Sequence, residues 1–201
     1  MKQRSKADQV LALATKNGLL RARDLGAAGI PTVYLRRLCQ RGLLVQVSRG
    51  LYRPVQAKAT EYQMMVECAK LVPRGTMCLL SALAFHDLTT QLPPELWVAI
   101  GSKDWRPKVV HLPVRFLLFS GAALTEGVQT HAISNVPVQV YCPAKTVADC
   151  FKYRNKVGLE VAIQALRDCW RSRKATADEL WRYAKICRVA NVMRPYMESL
   201  V

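Results

Sequence analysis

Apolar residues in the first quarter of the chain recur at the spacing of short amphipathic helices. Residues 7–18 and 33–41 each place their apolar side chains on one helical face. Residues 21–30 predict a further short helix between them, although no Ser, Thr, Asp or Asn stands at its start as a cap. Thr32 is the expected cap of the third helix, and Gly42 ends it.

A two-stranded ribbon is predicted directly after these helices. Residues 43–47 and 51–55 read as short strands, and Ser48-Arg49-Gly50 joins them. Gly50 can take the positive φ that a short hairpin turn requires. Helix, helix, turn, helix and ribbon is the order of a winged helix-turn-helix.

Beyond residue 60 the pattern changes from helical spacing to strand spacing and back again. A capping box at Thr60 predicts a helix to about residue 72, and residues 77–88 predict another. Five strand-like segments separated by Pro and Gly follow, at residues 96–101, 108–112, 115–120, 128–133 and 138–142. Three more helices are predicted at residues 143–153, 157–171 and 177–188, before a terminal turn or helix.

These elements predict an α+β protein of two domains. The first, residues 1–55, is a winged helix-turn-helix, and the second, residues 60–201, is a mixed α/β domain. The chain has 201 residues, of which 51% are hydrophobic, so each domain can bury a core.

Positive charge is concentrated at the N-terminal end. The formal net charge is +16, and residues 1–54 hold 11 of the 30 Lys and Arg residues but only two of the 14 Asp and Glu residues. A charge balance of this kind indicates that the protein binds a nucleic acid, an acidic partner or an anionic membrane surface.

The third helix and the wing place this charge where a winged helix contacts DNA. Val33, Arg37 and Gln40 lie opposite the apolar face, and in the major groove Arg reads guanine while Gln reads adenine. Residues flanking this face and at the wing can reach phosphates or the minor groove. The candidate DNA-binding residues are Thr32, Tyr34, Arg36, Arg37, Gln40, Arg41, Ser48, Arg49 and Arg53.

Enzyme motifs are missing from the sequence. It contains no glycine-rich phosphate loop, zinc-protease helix or nucleophile elbow. Ser81, His86 and Asp87 are close in sequence but do not share a helical face well. Gly101-Ser102 resembles the start of a nucleotidyltransferase site, yet only Asp104 follows where paired carboxylates are needed. We therefore expect no catalytic residues.

The spacing of cysteines and histidines predicts that the protein works in a reducing compartment and binds no metal. The seven cysteines are scattered without a C-x-x-C pair, and the three histidines lie far apart. The apolar run after Gln9 ends at Lys16, so we expect no signal peptide and a cytoplasmic protein. No cofactor is predicted.

One segment of the second domain has two interpretations. In "CPAKTVADC", residues 142–150, a strand runs into a helix that begins with Pro. Lys145, Thr146 and Asp149 lie near the start of that helix, and Thr146 and Asp149 share a face. They are candidates for partner binding, and an ordinary helix start with a packed threonine is an equal alternative.

Three segments together resemble the AbiEi family, the antitoxins and autoregulators of type IV toxin–antitoxin systems. The first is "LLRARDLGAAGIPTVYLRRLCQRGLLVQVSRGLYRP", which is similar to the family's winged helix with its Arg-Gly-x-Tyr wing. The others are "MCLLSALAFHDL" and "VQVYCPAKTVADCFKYRNKVG". Arg21 stands where the family's second helix usually has a Thr or Ser cap, and Lys145 stands where Arg is commoner.

The resemblance implies a repressor that binds inverted repeats in its own promoter as double-stranded DNA. It also implies a C-terminal domain that antagonises a nucleotidyltransferase toxin, and cooperative self-association on DNA is a further expectation. Two alternatives remain open from the residues alone. One is a basic interaction module that binds RNA or an acidic protein, and the other is a nuclease, for which the carboxylates are sparse.

Overall fold

The computed structural model describes residues 5–48, 50–56, 62–91, 93–104 and 112–200. They form two compact units. The N-terminal unit contains residues 1–70 and 132–137, and the C-terminal unit contains residues 71–131 and 138–201.

The N-terminal unit has the element order of a winged helix-turn-helix, which confirms the predicted fold class. Three helices and a small sheet are followed by one further helix. The elements are α1 (Lys6–Asn17), β1 (Leu20–Arg21), α2 (Ala22–Ala27), α3 (Val33–Gln40), β2 (Leu44–Ser48), β3 (Leu51–Pro54) and α4 (Gln63–Leu71).

Carboxylates cap the first two helices. Ser5 and Asp8 form a capping box at the start of α1. The Asp24 carboxylate accepts a 2.9 Å hydrogen bond from the backbone N–H of Arg21, so α2 is held at its start without a Ser or Thr cap. The Thr32 prediction is wrong in one respect. Thr32 occupies the cap position of α3, but its own backbone is helical and its side chain makes no capping hydrogen bond.

The wing is a three-stranded antiparallel sheet with β3 between β1 and β2. The β2–β3 register pairs Gln46 with Tyr52, and the pairing shifts between Gln46 and Ser48, as at a β-bulge. Gly50 has a φ of 74°, the conformation that its place in the hairpin predicts. The wing strands therefore form where the sequence predicts them, with one irregularity near the tip.

An apolar cluster of buried side chains holds the described part of the N-terminal unit together. It joins α1, α2 and α3 to β1 and β2 through side chains that are at most 4% exposed. Its members are Val10, Ala14, Leu20, Leu25, Ile30, Leu35, Leu38 and Leu44.

The C-terminal unit is built around a five-stranded mixed sheet with the order β6-β5-β4-β8-β7. Strand β5 pairs in parallel with β6 and antiparallel with β4, and β4 pairs in parallel with β8. The strands are β4 (Thr76–Met77), β5 (Leu96–Gly101), β6 (Val114–Phe119), β7 (Val128–Ile133) and β8 (Val136–Tyr141), and residues 132–137 at the β7–β8 turn are the part of this sheet that groups with the N-terminal unit.

Helices pack against this sheet around a central helix, α7 (Pro143–Lys152), which contacts five others. Phe151 of α7 is fully buried in the shared core. The remaining helices are α5 (Leu79–Phe85), α6 (Ala122–Thr125), α8 (Arg154–Val157), α9 (Leu159–Arg171), α10 (Ala177–Ile186) and α11 (Ala190–Glu198).

Several predicted boundaries in this unit are wrong for local reasons. The helix expected at residues 157–171 begins at Leu159 instead, because Gly158, with a φ of 96°, separates it from the short helix that ends at Val157. The helix expected at 77–88 is shorter, because Thr76 and Met77 form the two-residue strand β4 instead. The predicted strand 108–112 lies almost wholly outside the described residues, and Thr60 lies outside them as well.

Candidate nucleic-acid interface

Helix α3 separates an apolar face from a basic one. Leu35 and Leu38 are 2% and 1% exposed in the core of the N-terminal unit. Arg36, Arg37 and Gln40 are exposed, as the helical period predicts. Because α3 contains no acidic residue, its exposed face carries positive charge alone.

The side chains of α3 limit the freedom of one arginine. The Arg37 guanidinium carbon lies 5.6 Å from the centre of the Tyr34 ring, one turn earlier on the helix. A cation over an aromatic face at this distance is attracted to it. Tyr34 therefore restricts the conformations of Arg37. Arg37 would then lose less conformational entropy on contacting a ligand.

The two ends of α3 also expose side chains. Thr32, before the first turn, is exposed, and its hydroxyl is not used in capping. Arg41, at the C-cap, is exposed as well, while its backbone N–H donates to the carbonyl of Arg37. The structure thus brings together six of the predicted residues: Thr32, Tyr34, Arg36, Arg37, Gln40 and Arg41.

Fewer of the predicted DNA-binding side chains can be described on the wing than on α3. Ser48 pairs with Leu51 through its backbone, and Arg49 lies outside the described residues. Arg53 pairs with Val45 in the sheet and is half-buried. Its Nε is buried and has no hydrogen-bond partner in the part of the chain that the structure describes.

A basic residue on α2 is not among the residues that the sequence predicts to bind DNA. Arg23 is exposed there, while Arg21 is partly buried. Burial and the neighbouring Arg23 both lower the pKa of the Arg21 guanidinium, and Asp24 raises it. In a helix-turn-helix the helix before the recognition helix crosses the DNA backbone. That role, together with the helix order, could have singled out Arg23 from the sequence.

Lys145, Thr146 and Asp149 all lie inside the C-terminal unit, each 0% exposed. Lys145 Nζ is 2.5 Å from Asp149 Oδ2, and the Cys187 thiol donates to Asp149 Oδ1 at 3.2 Å. The Thr146 hydroxyl donates to the carbonyl of Tyr141. All of these contacts are internal. They support the interpretation in which this segment builds the fold, and its role in binding a partner stays a prediction.

Aromatic rings surround the buried ion pair. Lys145 Nζ lies 4.2 Å from the centre of the Tyr141 ring and 5.0 Å from that of Phe119. Burial raises the pKa of the Asp149 carboxyl, although the ammonium of Lys145 lowers it. Both partners of the pair are thus removed from water and depend on each other.

The residues considered for catalysis have other partners. The Ser81 hydroxyl accepts a 2.8 Å hydrogen bond from the backbone N–H of Trp97, and His86 Nε2 donates to the carbonyl of Tyr141 at 2.7 Å. Asp87 lies 3.7 Å from Lys174. None of these described side chains is hydrogen-bonded to another of the three. The Asp104 carboxylate accepts from the backbone N–H of Gly101. Within the described ranges, no group of three or more His, Cys, Asp or Glu is placed to hold a metal.

The setting of His86 predicts how pH affects stability. Burial lowers the pKa of its imidazole, and this outweighs the hydrogen bond to Tyr141. The unfolded chain, with a histidine pKa of about 6.5, then binds the proton more readily than the folded one. Stability should therefore fall as the pH drops through about 6.5. Urea unfolding between pH 5 and 7.5 checks this, since His86→Gln should flatten the pH dependence; an unchanged profile would contradict it.

Part of the N-terminal unit matches a known protein family. Residues 8–55 match the family model described as a transcriptional regulator, the AbiEi antitoxin. The match covers α2, α3 and the wing, and it confirms the AbiEi resemblance over these residues. The matched family is described as one of transcriptional regulators. The basic face of α3 lies within the matched segment.

The fold of the chain is also similar to that of a solved structure. This is the crystal structure of the RV2827C protein from Mycobacterium tuberculosis, with a TM-score of 0.61 and 14% sequence identity. The alignment covers 92% of this chain and 72% of the other. No curated protein matches the sequence. No described helix has both the length and the apolar character needed to cross a membrane.

Proposed function

We propose that the protein is a DNA-binding transcriptional autorepressor and antitoxin of a type IV toxin–antitoxin system. The observation that carries the proposal is the exposed, acid-free face of α3, which lies within the segment that matches the AbiEi regulator model. The residues assigned to DNA are those of α3 and the wing, with Arg49 included from the sequence alone. We add Arg23 as a phosphate contact.

In this proposal the N-terminal residues 1–55 bind inverted repeats in the protein's own promoter. Residues 60–201 antagonise a nucleotidyltransferase toxin. Recognition helices of this kind lie in the major groove, where their outward side chains contact base edges. Arg37 would read guanine and Gln40 adenine, while Arg36 and Arg41 contact phosphates.

A binding panel tests the proposal against an RNA-binding or protein-binding module. The purified chain is titrated with duplex DNA from upstream of its own gene, a scrambled duplex of equal length and a structured RNA, all at the same salt. We expect the upstream duplex to bind tightest, by at least about a thousandfold over the scrambled one. Equal affinity for all three would favour the interaction module instead.

Arg37→Ala should weaken binding to the preferred duplex by about 1–3 kcal/mol and relax the base preference at one position. Arg36→Ala is the matched control on the same helix. Since Arg36 is assigned to a phosphate, its loss should weaken all sequences alike and lower the salt slope by about one. Competition with single-base variants of the duplex measures both effects. Identical base preferences in the two variants would refute the assignment of Arg37.

A further inference from the structure

An apolar side chain shares the exposed face of α3 with the basic residues. Val33, the first residue of the helix, is 47% exposed, although Leu35 and Leu38 of the same helix are buried. At about 100° per residue, Val33, Arg37 and Gln40 form one outward stripe. Val33 is therefore part of the surface that the proposed function assigns to base edges.

Nothing in the fold of α3 calls for a valine at this position. A β-branched residue is a weaker helix former than alanine, and half of this side chain gains nothing from the core. The first turn of a helix favours acidic residues, yet α3 has none there. An acid at this place would repel DNA phosphates, whereas valine is neutral. The composition of this turn suits a helix end that faces a polyanion.

We propose that Val33 is a specificity-determining residue that contacts the C5 methyl group of a thymine in the major groove. Valine has no hydrogen-bonding group, so it cannot read the donors and acceptors of the base edges. The methyl group of thymine is the apolar feature that the major groove presents, and it is met by apolar side chains. This inference rests on the proposed function and adds a third base to those assigned to Arg37 and Gln40.

The helix geometry places that thymine. Val33 and Arg37 are four residues apart, which is about 6 Å along the helix axis. Base pairs follow one another at about 3.4 Å. With α3 aligned along the major groove, the thymine lies about two base pairs from the guanine that Arg37 reads, on the side of the helix N-terminus.

The test uses deoxyuridine, which lacks only the methyl group. A preferred site is first selected from a library of random synthetic duplexes with the full-length protein. Each thymine in that site is then replaced singly by deoxyuridine, and dissociation constants are measured by fluorescence anisotropy. Synthetic duplexes contain no 5-methylcytosine, so thymine is the only source of the methyl group.

We expect the replacement of one particular thymine in each half-site of the inverted repeat to weaken binding about threefold to tenfold. This is the effect of losing one apolar contact. Val33→Ser should bind the thymine and deoxyuridine duplexes equally at that position. Val55→Ser is the matched control, because Val55 is 54% exposed in the same unit but lies outside α3. It should keep the wild-type discrimination.

Failures of the two proposals can be told apart. If the wild-type protein selects no site, the proposed function fails and this inference fails with it. If a site is selected but every thymine can be replaced without loss, only this inference is overturned. It is also overturned if Val33→Ser still senses the methyl group as strongly as the wild-type protein does.

Discussion

Asp149→Leu is expected to lower the free energy of unfolding of the C-terminal unit by about 3–5 kcal/mol. The substitution leaves the Lys145 ammonium, which is 0% exposed, without its carboxylate partner. The Tyr141 and Phe119 rings recover only part of the lost attraction. The cost is thus that of a buried charge without a partner.

Two further variants make this prediction specific. The double variant Lys145→Met, Asp149→Leu replaces the pair by apolar side chains of similar size, and it should regain most of the lost stability. Glu126→Leu is the matched control, because it breaks an exposed ion pair with Arg182 and should cost no more than about 1 kcal/mol.

Tryptophan fluorescence during urea unfolding measures the stability of the C-terminal unit, which contains the ion pair. All four tryptophans, at positions 97, 105, 170 and 181, lie beyond residue 70. A double variant as unstable as the single one would contradict the account of the pair. If the double variant is folded but no longer antagonises the proposed nucleotidyltransferase toxin, the segment has a role in partner binding beyond the fold.

Leu38→Ala should destabilise the N-terminal unit by about 2–5 kcal/mol. Leu38 is 1% exposed in the apolar cluster beneath α3, so the truncation leaves a cavity under the basic face. Val33→Ala, on the exposed side of the same helix, is the control and should change stability by less than about 0.5 kcal/mol.

Comparing two spectroscopic signals locates this effect. Far-UV circular dichroism follows both units, whereas tryptophan fluorescence follows only the C-terminal one. We expect Leu38→Ala to shift part of the dichroism transition to lower urea and to leave the fluorescence transition in place. Saturating DNA should restore part of the loss, because a ligand of the folded state stabilises it. An unshifted dichroism transition would show that Leu38 does not support α3.

The winged helix could be predicted from the sequence because its signals are local. The helical period of α3 separates Leu35 and Leu38 from Arg37 and Gln40, and Gly50 marks the turn of the wing. The capping of α2 was missed, because Asp24 bonds a backbone N–H three residues earlier while no cap-forming residue precedes the helix.

The buried ion pair could not be predicted in the same way. Lysine and aspartate are rarely buried completely, so composition favours placing Lys145 and Asp149 at the surface. Their i, i+4 spacing permits an ion pair but does not say which face of α7 meets the core. That depends on the packing of α5, α9, α10 and α11 around the helix. Strand β4 was missed because two residues are too few to show a period.

The most direct test of the central claim, that the exposed face of α3 binds DNA, compares two triple variants on the upstream duplex. One changes Arg36, Arg37 and Arg41 to Ala. The other changes Arg167, Arg171 and Arg194, which are exposed on α9 and α11, and so removes the same charge.

With both variants shown to be folded by circular dichroism, affinity is measured over a range of salt concentrations. We expect the α3 variant to lose at least about a hundredfold in affinity, since the base contact of Arg37 contributes about 1–3 kcal/mol and the phosphate contacts of Arg36 and Arg41 add to it. Its salt slope should fall by about two to three, while the second variant stays close to wild type. Wild-type affinity in the α3 variant, or an equal loss in both, would contradict the account.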